Sequence, residues 1–212
     1  MGTDKARIAW GRGTLLTHAV DRMRQVASGV FVVGSVESAP VKVFPDVFPE
    51  SGPLAGLQAA LAQTVTDWNL VLGVDMPLVP VGLLRFIAEQ RKNGVSAIVP
   101  LTKTADPATD SARNSDNLAD GTASLNRLQP LCGVYHRRVL SDFERALSQG
   151  EYSIHRLLER MRPAIAHNKS IGLRTIEEHE LIAAGFSADM FWNVNTPDDL
   201  ERARTLAATL NV

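Results

Sequence analysis

The chain alternates between stretches whose apolar residues recur with helical spacing and short runs that are apolar almost throughout. Residues 15–26 show the first helical spacing, and the compact apolar run VFVVG follows at 30–34. Such runs are typical of strands that are buried on both faces. The same reading predicts further strands at 41–44, 70–75, 97–101, 130–135, 169–174 and 191–195, and further helices at 54–63, 83–88, 139–147, 154–161, 176–184 and 197–210.

The polar segments divide these elements. Thr196, Pro197 and Asp199 predict a capped start for the last helix, with proline in its first turn. Residues 102–127 have too few apolar side chains to form a core, so we expect a mobile surface loop there. No repeat or linker is seen, which predicts one domain over residues 1–212.

Strands that alternate with helices predict an α/β fold in which helices cover both faces of a mostly parallel sheet. In such sheets, ligands bind beyond the carboxyl ends of the strands. Asp75 ends one of these predicted strands. It is therefore the first candidate for chemistry.

Composition narrows the class of protein. The 212 residues are 45% apolar and 21% charged, and no apolar run approaches the roughly 20 residues of a membrane span. A net charge of −1 argues against a broad basic surface for nucleic acid or for an anionic membrane. The single cysteine, Cys132, excludes an internal disulfide framework, and no signal peptide is seen, so we expect a cytoplasmic protein. The five histidines lack metal-ligand spacing, so no zinc site is predicted.

Four segments in order resemble the molybdenum cofactor guanylyltransferases. They are GTDKA at 2–6, GPLAGL at 52–57, VDMP at 74–77 and NVNTPDDL at 193–200. Members of this family have a Rossmann-like, three-layer nucleotidyltransferase fold. They transfer GMP from GTP to the molybdenum-bound pterin, with Mg²⁺, and release pyrophosphate. The resemblance therefore implies GTP and the molybdopterin cofactor as substrates, and other molybdenum cofactor proteins or molybdoenzymes as partners.

The family signature that contains GTDKA resembles LAGGxSxRMGxDK, and Met1 aligns with the methionine inside it. The strand and the glycine pair that precede this methionine are not in the sequence. By resemblance, that strand lies near the middle of the sheet, so we expect two strand edges to be left unpaired beneath their helices. We expect an upstream start of translation rather than a true loss of the phosphate-binding loop.

Two charged residues are the catalytic candidates. The carboxylate of Asp75 can hold Mg²⁺ against a triphosphate, and the family's magnesium ligand falls at this position. Position alone favours an Asp that caps the turn after the strand. The ammonium group of Lys5 can offset negative charge at the transferring phosphoryl group, as the resemblance implies, although a lysine near a chain terminus is usually only solvated.

Several positions are predicted to contact the nucleotide. By resemblance Asp46 binds guanine or ribose, while a turn-forming role after Pro45 is about as plausible. Gly2 belongs to the phosphate loop, and Gly52, Pro53 and Gly56 let backbone approach a ligand where a helix begins. Close helix packing explains Gly52, Pro53 and Gly56 nearly as well.

The resemblance assigns acceptor binding to Asn193 and Asn195. If residues 191–195 form a strand, the two amides point to the same side of it. Asn195 would at the same time lie at the cap of the last helix.

Two other functions remain open. One is a related nucleotidyltransferase that uses CTP or another phosphorylated acceptor, because the fold and the metal site fix neither the base nor the acceptor. The other is a catalytically silent protein that binds molybdopterin but not the nucleotide, and the missing glycine loop makes this alternative credible.

Overall fold

The computed structural model describes residues 5–36, 38–45, 52–103, 126–162 and 172–210. Gly2, Asp46 and most of the polar segment 102–127 lie outside these ranges. Predictions made for them are therefore not addressed by the structure.

Nine strands and seven α-helices are described. The strands are β1 (Ala9–Trp10), β2 (Gly13–Thr14), β3 (Phe31–Val33), β4 (Lys42–Phe44), β5 (Trp68–Leu72), β6 (Ala97–Lys103), β7 (Asn126–Leu128), β8 (Cys132–His136) and β9 (Leu173–Glu177). The helices are α1 (Leu15–Arg24), α2 (Gly52–Ala62), α3 (Val81–Glu89), α4 (Leu140–Ser148), α5 (Ile154–Met161), α6 (Glu178–Ala183) and α7 (Pro197–Leu210). Short 3₁₀ turns precede β1, α4 and α7, at Lys5–Arg7, Arg137–Val139 and Ala188–Phe191.

The main sheet has the order β5-β8-β6, with β9 on the other edge of β6 and β7 also paired with β6. Strand β9 runs parallel to β6, whereas β8 runs antiparallel to both β5 and β6. The predicted α/β fold is confirmed: β5, β6 and β9 run in one direction, and the parallel expectation is wrong only for β7 and β8, which run in the opposite direction. The apolar run at 130–135 correctly indicates a buried strand, but burial on both faces does not encode the direction of that strand.

Strands β7 and β8 are one antiparallel partner of β6, interrupted by a bulge. Leu128 pairs with Leu101 and Val134 pairs with Ile98, so the partner strand has three more residues than β6 between these pairs. The extra residues are 129–131. A bulge of this kind bends the strand and redirects the groups that follow it.

Strands β3 and β4 form a separate parallel pair. No ladder joins β3 to β5 in the part of the chain that the structure describes. Every residue of β3 and β5 is half-buried, although both strands are rich in apolar residues. In the described chain β3 and β5 therefore belong to separate sheets, and the expectation of unpaired strand edges stays a prediction.

Helices cover both faces of the main sheet, as an α/β architecture requires. On one face Leu54, Phe143 and Leu158, from α2, α4 and α5, pack with Val99 of β6. On the other face α3 and α6 pack against Ile98, the next residue of the same strand. The alternation of β6 side chains between two cores confirms the three-layer prediction.

Several boundaries differ from the sequence prediction, and the strand predicted at 70–75 ends at Leu72, so Asp75 does not end a strand. Residues 191–195 are not a strand: a 3₁₀ turn ends at Phe191, and 192–195 have no regular structure. Residues 169–171 of the strand predicted at 169–174 lie outside the described residues, and β9 includes the first two residues of the helix predicted at 176–184. Thr102, Lys103, Asn126 and Arg127 lie in paired strands rather than in the polar loop.

None of the helices among the described residues is both long enough and apolar enough to cross a membrane.

The centre of the sheet yields a test of packing. A Cβ at Gly133 of β8 would lie 2.8 Å from the backbone oxygen of Ile98 and 3.4 Å from the ring of Tyr135. We expect Gly133→Ala to lower the free energy of unfolding by about 1–3 kcal/mol, because the backbone of Ile98 would have to shift to relieve the clash. Urea denaturation measures this. The control is Gly29→Ala, whose added methyl group meets nothing within 4 Å; equal values for the two variants would contradict the prediction.

Candidate active site

Asp75 lies in a turn three residues beyond the end of β5, with 21% of its side chain exposed. The Gly73 amide donates to Leu131 O in the β7–β8 bulge (2.6 Å), and the Val194 amide donates to Asp75 O (2.8 Å). The turn is thereby held on one side by the sheet and on the other by the segment that leads into α7. These bonds fix the backbone from which the carboxylate projects.

Lys5 and Asn195 lie beside this carboxylate. The Lys5 ammonium donates to Asn195 Oδ1 at 2.6 Å and is 3.6 Å from Asp75 Oδ2. The structure thus brings together three residues that the sequence singled out separately. With 41% of its side chain exposed, Lys5 is held by partners yet still reachable from solvent.

The cap of α7 holds Asn195. The backbone amides of Asn195 and Thr196 both donate to Asp199 Oδ2, at 3.0 and 2.8 Å. The backbone amide of Asp199 donates to Thr196 Oγ1. The predicted cap is therefore confirmed. Since Asn195 Oδ1 accepts from Lys5, the same residue joins the helix cap to the charged pair.

The other predicted positions are arranged differently. The side-chain amide of Asn193 donates to Phe191 O at 3.3 Å. Residues 191–195 are not a strand, so the strand alternation that was expected to point Asn193 and Asn195 to the same side does not exist. Gly52, Pro53 and Gly56 lie in the first half of α2, with Gly52 at φ +73°, a conformation that favours glycine. In the described chain, no hydrogen bond or ion pair joins these three to Lys5, Asp75 or Asn195.

The side chains around Asp75 show which kind of metal site this region could form. The described ranges contain no group of three or more His, Cys, Asp or Glu side chains that could hold a metal. A lone carboxylate suits an ion that is shared with phosphate oxygens and water, which is how Mg²⁺ is usually bound. Asp75 fits that arrangement, and it does not fit a closed structural metal site.

Sequence reasoning missed His18 and Arg22, which reach the loop after Asp75 from α1. Arg22 Nη1 donates to Val79 O at 2.5 Å, and His18 Nε2 lies 2.9 Å from Pro77 O. Burial, followed by the charge of Arg22, lowers the pKa of His18, and burial lowers the pKa of Arg22. The only signal in the sequence was their spacing of four, which places both on one helix face.

The lowered pKa of His18 predicts a loss of stability in acid. Below the ordinary value of 6.5 the unfolded chain binds a proton that the folded ring resists, so the free energy of unfolding falls as the pH drops through 6.5 towards the folded pKa. Above pH 6.5 the ring is neutral in both the folded and the unfolded chain, so the free energy of unfolding is not reduced by this group. His136, whose pKa is lowered chiefly by burial, acts in the same direction.

Urea titrations between about pH 7.5 and pH 5 measure this slope. We expect His18→Gln to reduce the slope, and His136 contributes to the slope that remains. An unchanged slope in His18→Gln would show that the ring of His18 does not resist protonation.

Comparisons with known proteins find relatives that align with nearly the whole chain. A probable molybdenum cofactor guanylyltransferase from Pelotomaculum thermopropionicum is 27% identical over 98% of this chain and 87% of its own length. The molybdenum cofactor guanylyltransferase of Rhizobium meliloti is 26% identical over 96% of this chain and 84% of its own length.

Two solved structures share the fold. Molybdopterin-guanine dinucleotide biosynthesis protein A from Archaeoglobus fulgidus aligns over 98% of this chain and 92% of its own, with a TM-score of 0.69 at 20% identity. The 2-C-methyl-D-erythritol 4-phosphate cytidylyltransferase of Thermus thermophilus aligns over 96% and 94%, with a TM-score of 0.62 at 18% identity. At these identities the likeness establishes the fold alone. The family model described as the MobA-like NTP transferase domain matches residues 1–166, and the chain belongs to that family.

Proposed function

We propose that this protein transfers GMP from GTP to the molybdenum-bound pterin cofactor and releases pyrophosphate. The observation that carries the proposal is the convergence of Lys5, Asp75 and Asn195 at the carboxyl end of β5. In an open α/β sheet this is where ligands bind. Relatives that align over nearly the whole chain are named as guanylyltransferases, which supports GTP as the donor.

The proposed reaction is an in-line displacement at the α-phosphorus of GTP. An oxygen of the acceptor's terminal phosphate forms the new bond, the bond from the α-phosphorus to the bridging oxygen breaks, and pyrophosphate carries away that electron pair. No covalent link to the protein is needed. The contribution of the chain is to position the two substrates and to stabilise charge.

Asp75 and Lys5 have complementary roles in this proposal. Asp75 would hold Mg²⁺, which supplies charge neutralisation at the phosphate oxygens when it is bound. The Lys5 ammonium, already held 3.6 Å from that carboxylate, would contact the phosphate oxygens on which negative charge accumulates. Asn195 would keep the ammonium in place through its 2.6 Å contact and would present its amide to the acceptor.

The remaining assignments are also proposals. Gly52, Pro53 and Gly56 would approach the nucleotide where α2 begins, and Asn193 would contact the acceptor. Gly2 and Asp46 keep the nucleotide roles that the resemblance implies. We further propose that the reaction takes place in the cytoplasm and that other molybdenum cofactor proteins receive the product.

A CTP-using transferase is the second candidate, because the Thermus thermophilus cytidylyltransferase has the same fold. Pyrophosphate release with GTP and with CTP, each on the molybdenum-bound pterin, distinguishes the two functions. A silent molybdopterin-binding protein would bind the pterin and release pyrophosphate with neither nucleotide.

Asp75→Asn tests the proposed role of the carboxylate. We expect kcat/KM for GTP-dependent pyrophosphate release to fall by about 10²–10³-fold, since a neutral amide would neither hold Mg²⁺ nor pair with Lys5. Asp67→Asn is the control, because Asp67 is exposed and precedes the opposite end of the same strand. Full activity in Asp75→Asn would rule out the proposed role, and circular dichroism would show that both variants are folded.

Gly73→Ala tests the orientation of the same carboxylate. A Cβ at Gly73 would lie 2.7 Å from Asp75 Oδ1 and 3.2 Å from Leu131 Cβ. The carboxylate can rotate away, so we expect kcat/KM to fall about tenfold or more while the free energy of unfolding changes by less than about 2 kcal/mol. If kcat/KM falls no further than the loss of folded protein accounts for, Gly73 does not determine the orientation of the Asp75 carboxylate.

A further inference from the structure

Residues 75–80, the loop that carries Asp75, include two prolines and so have fewer backbone N–H donors than carbonyl acceptors. Residues 76–79 are all buried, and Leu78 and Val79 are 0% exposed. Pro77 and Pro80 have no N–H group, so the loop cannot satisfy its own carbonyl oxygens by local turns alone. A buried carbonyl without a partner costs free energy, so donors must come from elsewhere in the fold.

Backbone amides satisfy three of the carbonyls. Val79 N donates to Met76 O, Val194 N donates to Asp75 O, and the amides of Leu83 and Leu84 both donate to Pro80 O. The carbonyls of Pro77 and Val79 have side-chain partners instead, and both partners belong to α1.

Arg22 makes one of these contacts and also binds His18. Its Nη1 donates to Val79 O at 2.5 Å, and its Nε donates to His18 Nε2 at 2.7 Å. The planar guanidinium therefore bridges the loop and a neighbouring ring with fixed geometry, which a lysine cannot reproduce. His18 in turn packs edge-on against Trp10, at 5.9 Å between ring centroids.

His18 Nε2 cannot satisfy both of its neighbours. With its lone pair it accepts from Arg22 and leaves Pro77 O without that donor; with a hydrogen it donates to Pro77 O and cannot accept from Arg22. The bond from Arg22 to Val79 O does not depend on this choice. Arg22 is therefore the fixed member of the pair, and His18 is the adaptable one.

We propose that Arg22 is a positioning residue for Asp75. By holding Val79 O, it clamps the buried loop to α1, and the clamp and the Val194 amide together fix the backbone that carries the carboxylate. The consequence for catalysis rests on the proposed function, whereas the clamp itself is a property of the free protein. No contact between Arg22 and a substrate is implied.

The test uses three variants of α1 in the full chain. Arg22→Met keeps most of the stem and removes the donors, and Arg22→Lys keeps one donor. Arg24→Met is the matched control, since Arg24 is exposed on the same helix and donates to a different loop carbonyl, Pro40 O at 2.7 Å.

Hydrogen exchange read by mass spectrometry reports on the clamp directly. In Arg22→Met we expect the amides of Met76, Leu78 and Val79 to exchange about tenfold faster than in the wild type, with β5 and α3 unchanged. Arg22→Lys should be intermediate, and Arg24→Met should match the wild type. Unchanged exchange in the loop, or equal acceleration throughout β5 and α3, would overturn the proposal.

A second readout separates positioning from general stability. In Arg22→Met we expect the Mg²⁺ concentration for half-maximal GTP-dependent pyrophosphate release to rise about tenfold, as for residues that orient a metal ligand, with partial rescue in Arg22→Lys. An unchanged Mg²⁺ requirement would overturn the link from the clamp to Asp75. If the wild type shows no GTP-dependent turnover, the proposed function fails, and hydrogen exchange still decides whether the clamp exists.

Discussion

Strand β6 shares backbone hydrogen bonds with β7, β8 and β9, and its residues Ala97, Ile98 and Val99 are fully buried between the two helical layers. In the described chain, strand β5 is joined to this centre through β8. The turn after β5 is in turn fixed by the bulge that interrupts the β7–β8 pairing, because Leu131 O accepts the Gly73 amide. The register in which β8 pairs with β6 therefore determines the position of Leu131, and through it the position of the turn that carries Asp75.

Helix α1 connects the two parts of the structure that the sheet leaves apart. Its residues Leu16 and Val20 share an apolar cluster with Val32 of β3 and Val74 beyond β5. Helix α2 packs against β3 on the other side and contributes to the core beneath β5. In the described chain, α1 and α2 thus connect β3 to the remaining structure by side-chain packing rather than by a hydrogen-bonded ladder. The helix that bridges this gap also holds the loop of Asp75 through Arg22.

Much of the fold could be predicted from the sequence, because burial on both faces leaves a clear record in runs such as 97–101. Strand direction leaves no such record, which is why β8 was expected to be parallel. The run FWNVN has the composition of a strand, yet Trp192 stacks on Arg202 at 4.1 Å and the α7 cap binds the amides that follow, so these local contacts prevail over propensity.

The candidate site was predictable only in part. Asp75 and Asn195 follow from the resemblance and from their places after apolar runs, and Lys5 follows from the resemblance alone. Arg22 and His18 look like ordinary residues of an amphipathic helix, because nothing local distinguishes an arginine that binds a distant carbonyl. The usable signal lay in the partner, since a buried segment with two prolines must obtain donors from outside itself.

The contact between Lys5 and Asn195 spans 190 positions of the chain. During synthesis Asp75 and its strand are made long before residues 195–199 emerge, and the bond to Val194 that fixes the turn can form only then. A nascent chain that stops before Val194 would contain Lys5 and Asp75 without the Asn195 contact, the Val194 bond or the cap. Synthesis of residues 194–199 is thus a condition for this arrangement of Lys5, Asp75 and Asn195.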